Sequence, residues 1–159
     1  MRSEIVNDIT ALGGAPIFIA IAVIALMLDK SFFLQLVGGF ILSYLFVFPI
    51  RMIYFRERPE KREHKNFLTK IDASSFPSHH AVRATILWLL VAYFFNNLLS
   101  YTLGVVAIIL VLYTRFSLKR HHKSDVIVGL VLGVIAFLVI MFFTPAISEL
   151  AQQLNFIAI

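Results

Sequence analysis

Between residues 84 and 114 the chain carries no charged side chain at all, and that silence decides what it can fold into. A run of this length is too long for one bilayer crossing, and Asn96-Asn97 interrupts it. The break predicts two helices, over 78–95 and 98–114. Comparable uncharged stretches occupy 9–28, 31–50 and 126–143. Each approaches the roughly 20 residues that cross a hydrocarbon core about 30 Å thick. Asp29-Lys30 predicts a tight turn that folds the first two spans into an antiparallel hairpin. Pro145 is expected to stop the last span, leaving 146–159 as a short interfacial helix that mixes Glu149, Gln152 and Gln153 with Ile and Leu. With 60% hydrophobic residues and a mean hydropathy of +0.88, the chain is too apolar for a soluble domain of its size. The expected architecture is an all-α integral membrane bundle of about five transmembrane helices, forming a single domain over 1–159. The absence of cysteine excludes disulfides, thiolate nucleophiles and cysteine zinc sites. Arg2, Glu4 and Asp8 precede the first apolar stretch with no small-residue cleavage site after a short core, so no cleaved signal peptide is expected.

Five crossings place segments 51–77 and 115–125 on the same membrane face, because two helices separate them. Three groups of polar residues lie there. Arg51 is followed after six residues by Arg58-Pro59. Phe76-Pro77-Ser78-His79-His80 opens the third span. Arg115 is followed after five residues by His121, and after three more by Asp125.

Together these motifs resemble the signature of the type 2 phosphatidic acid phosphatases, the lipid phosphate phosphatases related to vanadium haloperoxidases. That family's pattern is Lys-x6-Arg-Pro, then Pro-Ser-Gly-His, then Ser-Arg-x5-His-x3-Asp. Here Arg51, His79 and Thr114 stand at the Lys, Gly and Ser. Family members more often have six spans, and this chain resembles that plan without its first helix. The resemblance extends over essentially the whole length. It implies a membrane phosphatase acting on a lipid phosphate, with polyprenyl diphosphate, phosphatidylglycerol phosphate and phosphatidate all open as substrates.

The residue types suit phosphoryl transfer, which needs fixed positive charge on the equatorial oxygens, an in-line nucleophile and a proton for the departing oxygen. Arg51, Arg58 and Arg115 can grip phosphate in a bidentate way. Ser78 and the free N–H groups at the helix start, including that of His79, can bind an anion. His121 is the expected nucleophile, forming a phosphohistidine, with Asp125 expected to hold its Nδ1. His80 is the expected acid that protonates the leaving group and then activates water. Arg83, one turn beyond His80, is expected to snorkel to the headgroups, with a place in the pocket as the other option.

Each motif alone has a plainer reading. Basic juxtamembrane loops commonly serve as anchors, and His121-His122 beside Lys119, Arg120 and Lys123 can be a solvated cluster. The rival function is therefore a non-catalytic anionic-lipid-binding or membrane anchor protein; a haloperoxidase shares the pocket type but not the membrane setting. No metal or other cofactor is expected, since Glu57, Glu60, Glu63, Asp72 and Asp125 make no zincin-type spacing with histidine. Expected partners are the lipid substrate and membrane lipids, with no nucleic acid. Lys61, Arg62, His64, Lys65 and Lys70 should form a basic rim that attracts headgroups. Of the 14 Lys and Arg residues, all but Lys30 fall on the motif-bearing face or its helix ends. That asymmetry predicts a cell-membrane protein with a cytoplasmic active site, suited to phospholipid synthesis, although many relatives of such a family act on the outer face.

Overall fold

Asp29 both closes one helix and opens the next. Its backbone N–H donates to Ala25, and its carboxylate accepts from the Phe32 N–H at 2.6 Å. This turn joins α2 (Ala15–Leu28) to α3 (Lys30–Ile53), the expected hairpin. The computed structural model describes residues 2–60, 66–118 and 120–157. Its remaining helices are α1 (Arg2–Ala11), α4 (Phe67–Ala73), α5 (His79–Phe95), α6 (Leu98–Ser117) and α7 (Lys123–Ile157). Among the described residues every regular element is helical. Lys61, Arg62, His64, Lys65 and Lys119, and the side chain of Lys70, lie outside what is described, so most of the expected basic rim does too.

The Asn96-Asn97 break stands where the sequence places it. Asn96 takes the left-handed conformation that Asn tolerates, with φ 46°, and Asn97 caps α6 in a reciprocal box with Ser100. Around it, α5 is the central helix and packs on α3, α6 and α7. Val82, Ile86, Leu87 and Leu90 of α5 join Phe32 and Leu36 of α3 and Ala136 and Ile140 of α7 in the core. Helices α3, α6 and α7 are long and apolar enough to cross a membrane, and α2 and α5 are shorter apolar helices. They carry exposed Ile, Leu, Val and Phe on their outer faces, the inverse of a soluble surface. The protein is a membrane helical bundle of about five spans.

Two expectations about the spans are corrected. The first span is not one helix over 9–28. The chain leaves α1 at Ala11 through a turn closed by Gly14 N–H donating to Ala11 at 2.7 Å, and α2 starts at Ala15 with proline in its first turn. Gly13 is needed there, because a Cβ would stand 2.9 Å from the His80 carbonyl oxygen and 2.8 Å from Val111. Nor does Pro145 stop the last span, since α7 continues through it to Ile157. Its far half is docked on the start of α3. Gln35 donates to Thr144 at 3.2 Å, and Ser31 and Ser148 hydroxyls meet at 3.2 Å. Such packing offsets the one backbone bond that proline removes, as in other membrane helices.

Gly129 and Gly133, one turn apart on α7, bring that helix against α5. A Cβ on Gly129 would meet the Ser78 carbonyl at 2.7 Å, and one on Gly133 would meet Thr85 Cβ at 2.5 Å. Small residues at this spacing let helix backbones touch where lipid offers no hydrophobic drive between them. The close approach delivers the start of α5 to the start of α7, where the polar motifs lie.

Candidate active site

The first motif ends α3 and the second begins α5, and backbone contacts sew them together. Ser75 N–H donates to the Arg56 carbonyl at 2.8 Å, Arg56 N–H to the Ser74 hydroxyl at 3.3 Å, and the Ser75 hydroxyl to the Glu57 carbonyl at 3.1 Å. Arg51 crosses beneath, donating to the Pro77 carbonyl at 2.9 Å. Arg58 returns to the backbone ahead of the second motif, at the carbonyls of Asp72 (2.7 Å) and Ala73 (3.1 Å). The third motif is tied in by Ser78 N–H donating to the Asp125 carbonyl at 3.0 Å.

A cavity of about 210 Å³ opens between these segments. Arg51, Arg58 and Arg115 line it, as do His79, His80 and His121. Arg83, Arg120 and Asp72 complete the wall. Among the described residues, five guanidinium groups thus face one carboxylate. An excess of buried positive charge is unfavourable, so such a wall favours an anion as occupant. Arg83 is not snorkelling. It is 7% exposed, has the Tyr44 hydroxyl as a partner, and leaves its Nε without one among the described residues. It lies on the inward face of α5, among the residues that line the cavity.

His121 is 3% exposed and its two nitrogens are distinct. Nδ1 lies 2.7 Å from the Ser75 carbonyl, an acceptor only, so Nδ1 carries the proton and donates it. Nε2 is then the lone-pair nitrogen, and Arg115 Nη2 donates to it at 3.3 Å. Burial and the nearby Arg115 push the His121 imidazole down to about 3, against a smaller upward pull from the Ser75 carbonyl; Arg58 and Arg51 add to the lowering. The ring is therefore neutral across the physiological range.

Asp125 does not hold His121 as its spacing predicts. Its nearer oxygen is 3.9 Å from His121 Nδ1, and both oxygens are otherwise engaged. Oδ1 accepts from Arg56 Nη1 at 2.7 Å. Oδ2 accepts from the His122 N–H at 2.8 Å, with His122 Nδ1 at 3.3 Å. This is the returning half of a capping box, placing Asp125 at the third position of α7. The carboxylate, with no solvent exposure, shapes the 121–125 turn and joins it to Arg56. Arg56 also donates to the Ser124 hydroxyl at 2.7 Å.

Ser78 is fully buried and its hydroxyl has no hydrogen-bond partner among the described residues, although neither it nor Asp125 lines the cavity. Thr114 faces away from the cavity. It receives a hydrogen bond from Thr10 at 2.9 Å, pinning α1 to the motif-bearing end of α6. Sequence reasoning missed Ser75, whose contribution is a carbonyl that no side-chain pattern reveals, and Arg56, which sits unmarked between the two motif arginines. It also passed over Arg120 and Asp72, read only as loop charges.

The protein is thus an all-helical membrane bundle with an arginine-walled cavity and a neutral buried imidazole. Residues 32–148 match the PAP2 superfamily, and the chain belongs to it. Its members are generally phosphatases, so this protein is a hydrolase of phosphoric esters. No curated protein and no solved structure matched the chain significantly.

Proposed function

We propose that the protein, as one membrane-embedded phosphatase domain, hydrolyses a phosphomonoester or diphosphate of a lipid through a phosphohistidine on His121. The observation that carries this reading is the state of that ring: neutral, its Nδ1–H held by Ser75, its Nε2 lone pair turned into a cavity walled by arginine.

The phosphoryl group enters among Arg51, Arg58 and Arg115, with the His79 N–H at the start of α5 in reserve for its oxygens. Arg115 transfers its hydrogen bond from Nε2 to a phosphoryl oxygen, which frees the nitrogen. Nε2 attacks phosphorus in line, the bond from phosphorus to the lipid oxygen breaks, and His80 delivers a proton to that oxygen. The dianion stabilises the His80 imidazolium that serves as the acid. Neutral His80 then takes a proton from water, whose oxygen attacks phosphorus. The nitrogen–phosphorus bond breaks, and phosphate leaves with His121 neutral again. Asp125 keeps the 121–125 turn in place throughout. The arginines supply the charge that a metal gives in other phosphatases, so chelators should not inhibit.

Purified protein treated with chelator should release phosphate from a lipid phosphate and be blocked by vanadate. No release from polyprenyl diphosphate, phosphatidylglycerol phosphate or phosphatidate would leave the anchor reading in its place.

A further inference from the structure

The lipid-facing side of α3 carries a groove of about 410 Å³ with wholly apolar walls, lined by Phe40, Ile41, Tyr44, Leu45, Phe48 and Pro49. A smaller chamber of about 160 Å³ shares Tyr44 and Phe48 with the groove, and shares Arg51, Asp72 and His79 with the arginine-walled cavity. The three spaces adjoin in series from the apolar groove to the arginine-walled cavity, and the smallest, in the middle, forms a neck between them.

His79 stands at that neck, where the family pattern has glycine. Its ring is fixed on two sides. Ser43 sends its only hydroxyl proton to the Phe40 carbonyl at 2.7 Å, so at 3.2 Å it accepts from His79 Nε2. Tyr44 packs edge-on against the same ring, with centroids 4.5 Å apart. A ring held this way narrows the passage by more than a free side chain does.

We propose that His79 is a specificity-determining residue, making the neck admit lipids whose phosphate is borne on a single unbranched-entry hydrocarbon chain, such as an isoprenyl or alkyl phosphate, and exclude diacylglycerol phosphates. The proposal rests on the phosphatase reading above. In a diacylglycerol phosphate the carbon that bears the second ester lies two atoms beyond the phosphate oxygen, which places the branch beside His79. In an isoprenyl or alkyl phosphate that position is slim, and the chain continues along the groove on α3. The cavity itself, below the roughly 300–1,000 Å³ of sites for whole small ligands, takes the headgroup alone. This preference departs from the phospholipid role that the charge asymmetry favours.

The test compares a single-chain isoprenyl monophosphate with a diacylglycerol phosphate, in mixed micelles, for wild type, His79→Gly, His79→Ala and Ser43→Ala. Wild type should favour the single chain in kcat/KM by about 10-fold or more, the scale of steric discrimination by a pocket. The ratio should fall toward one in both His79 variants, and part of the way in Ser43→Ala. A wild-type ratio of one or below, or a ratio unmoved in all three variants, overturns the proposal. Binding of the matching non-hydrolysable phosphonates reads the neck without turnover. A preserved binding ratio in a protein that hydrolyses neither ester condemns the phosphatase reading and keeps the neck; a binding ratio of one overturns the neck itself.

Discussion

His121 donates its Nδ1–H to the Ser75 carbonyl across 2.7 Å, while the Asp125 carboxylate stands 3.9 Å from the same nitrogen. A backbone carbonyl thus sets the tautomer, and Asp125 acts one step removed, on the turn that carries the histidine. In a triad whose carboxylate holds the imidazole directly, exchanging acid for amide lowers kcat by about 10⁴. Asp125→Asn should cost less here, about 10- to 100-fold in kcat with KM nearly unchanged, the range for a supporting partner. Steady-state kinetics on one lipid phosphate decides it, and a 10⁴-fold loss would restore Asp125 to the ring.

The buried imidazole makes stability depend on pH in a definite direction. His121 is pushed down to about 3 in the folded chain, from an ordinary 6.5. Above 6.5 the ring is neutral in both folded and unfolded chains, and its contribution to stability is fully present. As pH falls from 6.5 toward 3 the unfolded chain takes up a proton that the folded one refuses. Stability is lost at up to about 1.4 kcal/mol per pH unit from this group alone. His121→Asn, which retains a donor for Ser75 but cannot titrate, should flatten that acid limb in detergent melts. Equal acid sensitivity of the two proteins would contradict the assignment.

The close packing of α5 on α7 should be intolerant of bulk. Gly133→Val places a Cβ and two methyls where Thr85 Cβ lies 2.5 Å away. A loss of about 1–3 kcal/mol is expected from overpacking, read as a lower melting midpoint. Activity should fall with it, since the Ser78–Asp125 bond at 3.0 Å depends on that approach. Unchanged melting and turnover would show that the helices do not need the glycine.

What the sequence made legible, and what it hid, follows from what each feature depends on. Spans and their common face could be read because charge is excluded from hydrocarbon residue by residue. The Asn96-Asn97 break could be read because a left-handed residue and a cap have side-chain signatures. Pro145 misled because its local penalty is offset by Gln35 and Ser31, more than a hundred residues away in the chain. The split at Gly13 was hidden because the turn answers to the His80 carbonyl and Val111. The three motifs could be found by residue type and order. The Ser75 carbonyl, the Arg56 bridge and the enclosed Arg83 could not, since each depends on how segments meet.

Charge asymmetry predicts that the active site faces the cytoplasm. Asn66, exposed ahead of α4 on the motif-bearing side, is a suitable reporter in a chain without cysteine. Asn66→Cys should resist a membrane-impermeant maleimide in intact cells and react only after lysis. Labelling without lysis would put the site on the outer face.

The central claim is that phosphorus is transferred to His121. Wild-type protein mixed briefly with ³²P-labelled lipid phosphate and quenched in denaturant should carry an acid-labile, base-stable label. That label should persist in His122→Ala and vanish in His121→Ala while the latter still elutes as folded protein. Label retained by His121→Ala, or lost instead from His122→Ala, would contradict the account.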